Sequence, residues 1–189
     1  MSTPVLHLVV GPNGAGKSTF VREVLGPVTQ LPFINADEIA ELRWPGEAES
    51  HGYEAAAAAA ALRADEIAAG RSFITETVFS HPSKVELIGQ AMRAGYLVYL
   101  HVILVPEELA VARVAHRVAL GGHTVPEQKI RERYRRLWAL VAIARGLADR
   151  VMLYDNTVVR AFVLVATYER GLVIGRPSWP RWTPAELCG

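Results

Sequence analysis

At 189 residues and a net charge of +1, the chain is long enough for one folded domain and too balanced to be drawn to nucleic acid or membrane by charge alone. No apolar stretch reaches the roughly 18 uncharged residues of a membrane helix, and the first ten residues lack the basic start of a signal peptide. The one cysteine, Cys188, leaves no internal disulfide framework or cysteine metal site, which suits a reducing, cytoplasmic setting. All basic side chains except Lys17, Lys84 and Lys129 are arginines, whose planar fork suits phosphate or carboxylate clamping where position allows it.

In chain order, Val5–Val10 is a short apolar run ending at Gly11, the pattern of a buried parallel strand. A glycine-rich loop follows and opens a helix over 18–25, which Gly26-Pro27 should stop. Phe33-Ile34 is a short second strand leading into Asn35-Ala36-Asp37. Residues 55–61 are all alanine and fall in a helix within 46–70, since alanine is the best helix former. A third strand over 72–77 is followed by a helix from Pro82 to Gly95. Residues 96–105 form the longest apolar run and read as a central strand buried on both faces. Pro106 opens a helix to about Leu120, residues 121–126 form a joint, and a second basic helix runs over 127–145. A strand over 150–154 precedes a terminal hairpin, 161–167 and 172–174, and the Pro- and Trp-rich tail should lie over the body. Strands alternating with helices predict one α/β domain over 1–189, a mainly parallel P-loop-type sheet flanked by helices, with a C-terminal β-hairpin and a helical lid over 107–145.

The chemistry begins at Gly11-Pro12-Asn13-Gly14-Ala15-Gly16-Lys17-Ser18-Thr19, which matches GxxxxGK[ST] between a strand and a helix. Glycines let backbone N–H groups turn toward phosphate oxygens, and the helix adds its positive end. Lys17 is expected on the β- and γ-phosphates and Ser18 on Mg²⁺. Asp37, at the end of the second strand, is placed either to take a proton from an acceptor hydroxyl or to cap the following helix. Glu76, ending an apolar strand, is placed to touch Mg²⁺ or to hydrogen-bond the substrate, with Thr77 beside it. Arg113 and Arg117 share a helix face, as do Arg131 and Arg135, so that a helical lid can bring arginines to a phosphoryl group. Arg135 and Arg136 read as a solvated face, and His101 as a core histidine. His123, in the joint, is either a substrate contact or exposed. No histidine–carboxylate cluster suggests zinc.

The segments GPNGAGKST, INADEIA, FITETVFS, RVALGGHTVPEQKIRERY and YDNT, in order from about residue 5 to 157, resemble the zeta-toxin family of P-loop kinases. The resemblance implies ATP and Mg²⁺ as cofactors, phosphorylation of UDP-N-acetylglucosamine on a sugar hydroxyl, and an antitoxin protein that blocks the ATP site. It implies Lys17 as phosphate lysine, Ser18 as metal ligand, Asp37 as general base and Glu76 as a substrate-site carboxylate. It also implies Arg117 with Arg131 or Arg133 as lid arginines, and Asp155 and Asn156 near the adenine. The compact length and the Thr-Val-Phe-Ser segment after Glu76 depart from the larger toxins, both on the acceptor side. Another acceptor (an antibiotic, a sugar or a polynucleotide end) and a nucleotide-dependent switch are the alternatives. The near-neutral charge argues against a nucleic acid.

Overall fold

The computed structural model describes residues 3–122, 124–158 and 161–188. Seven strands form one sheet in the order β2-β3-β1-β4-β5-β6-β7. β1 (Val5–Val10), β2 (Phe33–Ile34), β3 (Phe73–Thr77), β4 (Leu97–Leu104) and β5 (Arg150–Asp155) are parallel. β6 (Val163–Glu169) and β7 (Leu172–Ile174) add antiparallel at one edge, so the expected terminal hairpin is present. β1 and β4 are the central pair: Leu6, Leu8, Val98, Leu100 and Val102 are fully buried, as expected for strands covered on both faces.

α1 (Lys17–Phe20), a π-helical turn (Val21–Leu25) and α2 (Gly26–Thr29) form one continuous helix. The expected stop at Gly26-Pro27 therefore does not occur. The Gly26 N–H reaches back five residues to the Val21 carbonyl, and this widened turn accommodates the missing N–H of Pro27. The helix ends instead at Gln30, whose backbone is left-handed at φ 53°.

α3 (Ala36–Arg43) and the alanine-rich α4 (Gly52–Ala68) pack together beyond β2. α5 (Ser83–Arg93) precedes β4, and α6 (Glu107–Ala119) and α7 (Glu127–Leu147) follow it. α7 buries Ile130, Tyr134, Leu137, Trp138, Val141 and Ala144, a stripe of helical period laid on the core. The tail lies over the body as expected: Trp179 and Trp182 pack on the core, and α8 (Ala185–Cys188) buries Leu187 completely. Arg145 secures it by donating to the Leu187 carbonyl at 2.9 Å. Among the described residues, no helix is long and apolar enough to cross a membrane.

This topology places the site. β1 has β3 on one side and β4 on the other, so successive connections leave its carboxyl end in opposite directions and open a crevice there.

Candidate active site

The loop after β1 fills that crevice. Gly14 and Gly16 adopt φ 75° and 91°, and Gly16 leads into α1. A Cβ on Gly14 would meet the Ala110 carbonyl at 2.7 Å, and one on Gly16 the Asn156 amide nitrogen at 2.6 Å. Glycine is thus required both for the turn and for the close approach of α6 and the β5 end. Asn156, 3% exposed, donates from its amide to the Ala15 carbonyl at 2.8 Å and holds the loop from below. Lys17 donates to the Pro12 carbonyl at 3.0 Å. Burial pushes its pKa down, Glu76 and Asp37 push it back up, and Arg117 and Arg133 lower it.

Carboxylates reach the crevice from the two neighbouring strand ends. Glu76 on β3 accepts the Ser18 hydroxyl at 2.9 Å and the Asn35 amide at 3.1 Å, both on Oε1. Its Oε2 is buried and has no hydrogen-bond partner among the described residues. Burial raises the Glu76 pKa, while Lys17 and the Ser18 hydroxyl oppose the rise. Asn35 caps α3 by accepting the backbone N–H groups of Asp37 and Glu38 at 2.7 and 3.4 Å. The capping alternative for Asp37 is thereby overturned. The cap signal was in the sequence, because Asn35 stands three residues before Glu38 at the helix start. Asp37 is exposed in the cavity, accepts no hydrogen bond from the described residues, and interacts electrostatically with Lys17 and Arg133.

These groups line one cavity of about 810 Å³. Asn13, Gly14, Gly16, Lys17, Ser18 and Thr19 supply its floor, while Gly11 and Ala15 lie buried in the loop behind it. Glu76 and Thr77 come from the end of β3, Asp37 from the first turn of α3, Arg117 and Arg133 from α6 and α7, and Asn156 from just past β5. Thr77 also accepts the Phe79 N–H at 3.3 Å.

Two expected residues fall elsewhere. Arg131 does not line the cavity; it is bound by Glu107 at 3.4 Å, by Glu127 at 2.8 Å and by Glu108, bracing α6 against α7. Asp155 does not line it either, because its carboxylate accepts the Thr157 N–H at 2.8 Å and closes a tight turn. The expectation for His123 lies outside the described residues. Arg113 joins the cavity wall and is fixed by donating to the Asn156 carbonyl at 2.9 Å. Arg22, Arg63 and Lys84 line the same cavity and were not singled out in the sequence.

Ser18 and Glu76 suit a hard divalent cation. One hydroxyl and a carboxylate with an unpartnered oxygen supply protein ligands, and Mg²⁺ characteristically completes its shell with phosphate oxygens and water. Among the described residues no cluster of three His, Cys, Asp or Glu side chains forms an all-protein metal cage.

The glycine-rich loop at the carboxyl end of β1, in this strand order, defines a P-loop protein of kinase-like architecture. The chain belongs to the AAA domain family, whose model matches residues 6–140. No curated protein matches the sequence. Among solved structures it is similar to a candidate kinase from Chloroflexus aurantiacus, at 20% identity and TM-score 0.63 over 84% of this chain and 88% of that one. It is similar to a structure from the PezAT toxin–antitoxin system of Streptococcus pneumoniae, at 14% identity and TM-score 0.63 over 88% and 72%. It is also similar to a chain of the AvrRxo1-ORF1:AvrRxo1-ORF2 complex, at 16% identity and TM-score 0.68 over 91% and 60%; that pair has also been solved with ATP. At these identities the likeness is one of fold.

Proposed function

We propose that the protein is an ATP- and Mg²⁺-dependent phosphotransferase acting on a hydroxyl of a small molecule. The acceptor that the zeta-toxin resemblance implies is a nucleotide sugar such as UDP-N-acetylglucosamine. One observation carries the reading: Asp37 is released from capping by Asn35, and its carboxylate stands uncommitted in the cavity that holds Lys17 and Ser18. A nucleotide switch needs no such group.

In the proposed reaction, Asp37 takes the acceptor's hydroxyl proton as that oxygen forms its bond to the γ-phosphorus. The bond from the γ-phosphorus to the β–γ bridging oxygen breaks, and its electron pair leaves with ADP. Lys17, Arg117 and Arg133 balance the negative charge spread over the transferring group. Mg²⁺, held by Ser18 and Glu76, would neutralise charge on the β- and γ-phosphates. This assigns Glu76 to the metal side, because its contact is with Ser18. Asn156 and Arg113 position the loop and the donor end of the site. The toxin–antitoxin neighbour supports extending the reading to a partner protein of antitoxin type, which the zeta-toxin resemblance would place over the nucleotide.

The test is incubation with γ-labelled ATP, Mg²⁺ and a panel of UDP-sugars, free sugars, aminoglycosides and 5′-hydroxyl oligonucleotides. Transfer to at least one small hydroxyl compound, lost in Asp37→Asn, is the expected result. Tight nucleotide binding with no transfer to any acceptor would favour the switch.

A further inference from the structure

Two cations in the cavity have neither a role in the chemistry above nor a counter-ion among the described residues. Arg63 on α4 and Lys84 on α5 line the main cavity, and both also line a second one of about 230 Å³, together with Leu87. Neither side chain makes a hydrogen bond or ion pair with any described residue. By contrast, Arg22 is matched with Glu38, Arg71 with Glu66 and Arg131 with three glutamates. Glu86 also lines the smaller cavity, but pairs with neither cation.

This arrangement is unfavourable as it stands. Both groups are partly buried, and burial lowers the pKa of each; the charge of Arg63 lowers that of Lys84 further. Two like charges held near one another in a half-dry cleft gain most when an anion enters between them.

The helix sequence shows how the room is made. Ala56, Ala59 and Arg63 fall at i, i+3 and i+7, one stripe of α4, and all three face the cavity. Methyl groups along the first two turns leave the wall open, and Arg63 stands where the stripe ends. Thr77 and Val78 from the β3 end, with Lys84 and Leu87 from α5, contribute further wall. The arginines of α6 and α7 line the same cavity from separate elements, so the cations form two groups.

We propose that Arg63 and Lys84 are the anion-binding end of the acceptor site, and that the acceptor is a small hydroxy compound carrying a carboxylate or a phosphate. The inference rests on the phosphotransferase reading, because it takes Asp37 to receive the hydroxyl at the other end of the same molecule. A nucleotide sugar meets the requirement through its diphosphate, and a hydroxy acid through its carboxylate.

Calorimetry tests the site without relying on turnover. The protein is first saturated with a non-hydrolysable ATP analogue and Mg²⁺, so that the P-loop is filled. Inorganic phosphate, D-gluconate and neutral sorbitol are then titrated in turn. At least one anion should bind and sorbitol should not; which anion binds tells phosphate from carboxylate recognition. R63M/K84M should weaken anion binding at least tenfold with the affinity for the analogue unchanged, which also reports that the variant is folded. R63K/K84R, with both charges kept, should retain most of the binding. Absence of anion binding beyond the P-loop, or equal binding in wild type and R63M/K84M, would overturn the proposal. Anion binding lost in R63M/K84M, with no transfer to any acceptor in the labelled-ATP panel extended to D-gluconate, would sink the kinase reading and leave the anion site standing. Transfer to neutral acceptors with the same KM in wild type and R63M/K84M would sink the anion site alone.

Discussion

The Oδ1 of Asn35 accepts the backbone N–H of Asp37 at 2.7 Å, so the amide does the capping and the carboxylate two residues on is left to the cavity. The same Asn35 side chain donates to Glu76 at 3.1 Å. One residue therefore sets both carboxylates of the site.

Separating the two roles gives the first prediction. Asp37→Asn should abolish phosphoryl transfer, with ATP affinity and thermal stability close to wild type, because the cap is intact. Asn35→Ala should instead lower stability by about 1 kcal/mol through loss of the cap. Urea melts and a transfer assay on the two variants check this; transfer at the wild-type rate in Asp37→Asn would refute the base assignment.

Glu76→Gln keeps the shape beside Ser18 and removes the charge. The Mg²⁺ concentration for half-maximal activity should rise roughly 10- to 100-fold. A metal titration of wild type and variant measures it, and an unchanged requirement would move Glu76 off the metal.

The two α7 arginines should separate cleanly. Arg133→Ala should lower kcat by roughly 100-fold or more, as expected for losing a group that balances transition-state charge. Arg131→Ala should leave kcat near wild type and cost little stability, since the Glu108 and Glu127 carboxylates it pairs with are exposed to solvent. Steady-state kinetics on both variants decide it.

A pH effect follows from the sheet. His7 Nδ1 lies 3.1 Å from His101 Nε2, with His101 packed against Phe20 and Tyr154. Burial lowers His7 to about 4; burial, and then the charge of His7, lower His101 to about 3. The folded state thus resists protonation that the unfolded chain accepts near 6.5. The stabilising contribution is complete above that value and is lost as pH falls toward 4. Stability should drop by roughly 2–4 kcal/mol between pH 7 and 5. His101→Phe, which keeps an aromatic ring against Phe20, should reduce the slope. Denaturant melts across that range measure it, and an equal slope in the variant would contradict the assignment.

Strand positions and helix limits were largely legible in the sequence, because apolar runs such as 96–105 and Pro or Gly punctuation mark them directly, whereas the order of the strands in the sheet was not. Gly26-Pro27 misled, since a π-turn absorbs a proline that ordinary helical spacing would not. P-loop residues were legible because they are contiguous. Arg131 and Arg133 were not distinguishable by lid position alone: two residues apart, they lie on nearly opposite sides of a helix, and only the packing of α7 decides which one faces the cavity. The Glu127–Arg131 spacing of four was a readable sign that Arg131 was already matched. Arg63 and Lys84 left no trace, because lacking a counter-ion is a property of the folded neighbourhood.

The hydrogen bond from Asn156 to Ala15 spans 141 residues, and Asn156 lies sixteen positions past the end of the family match at residue 140. A protein trimmed to that boundary would retain the whole GxxxxGKS motif and lose the amide beneath it, along with β5, one of the two strands that pair with β4. The recognisable portion of the chain is therefore not the minimal working unit: the phosphate loop is finished by residues that the motif does not mention.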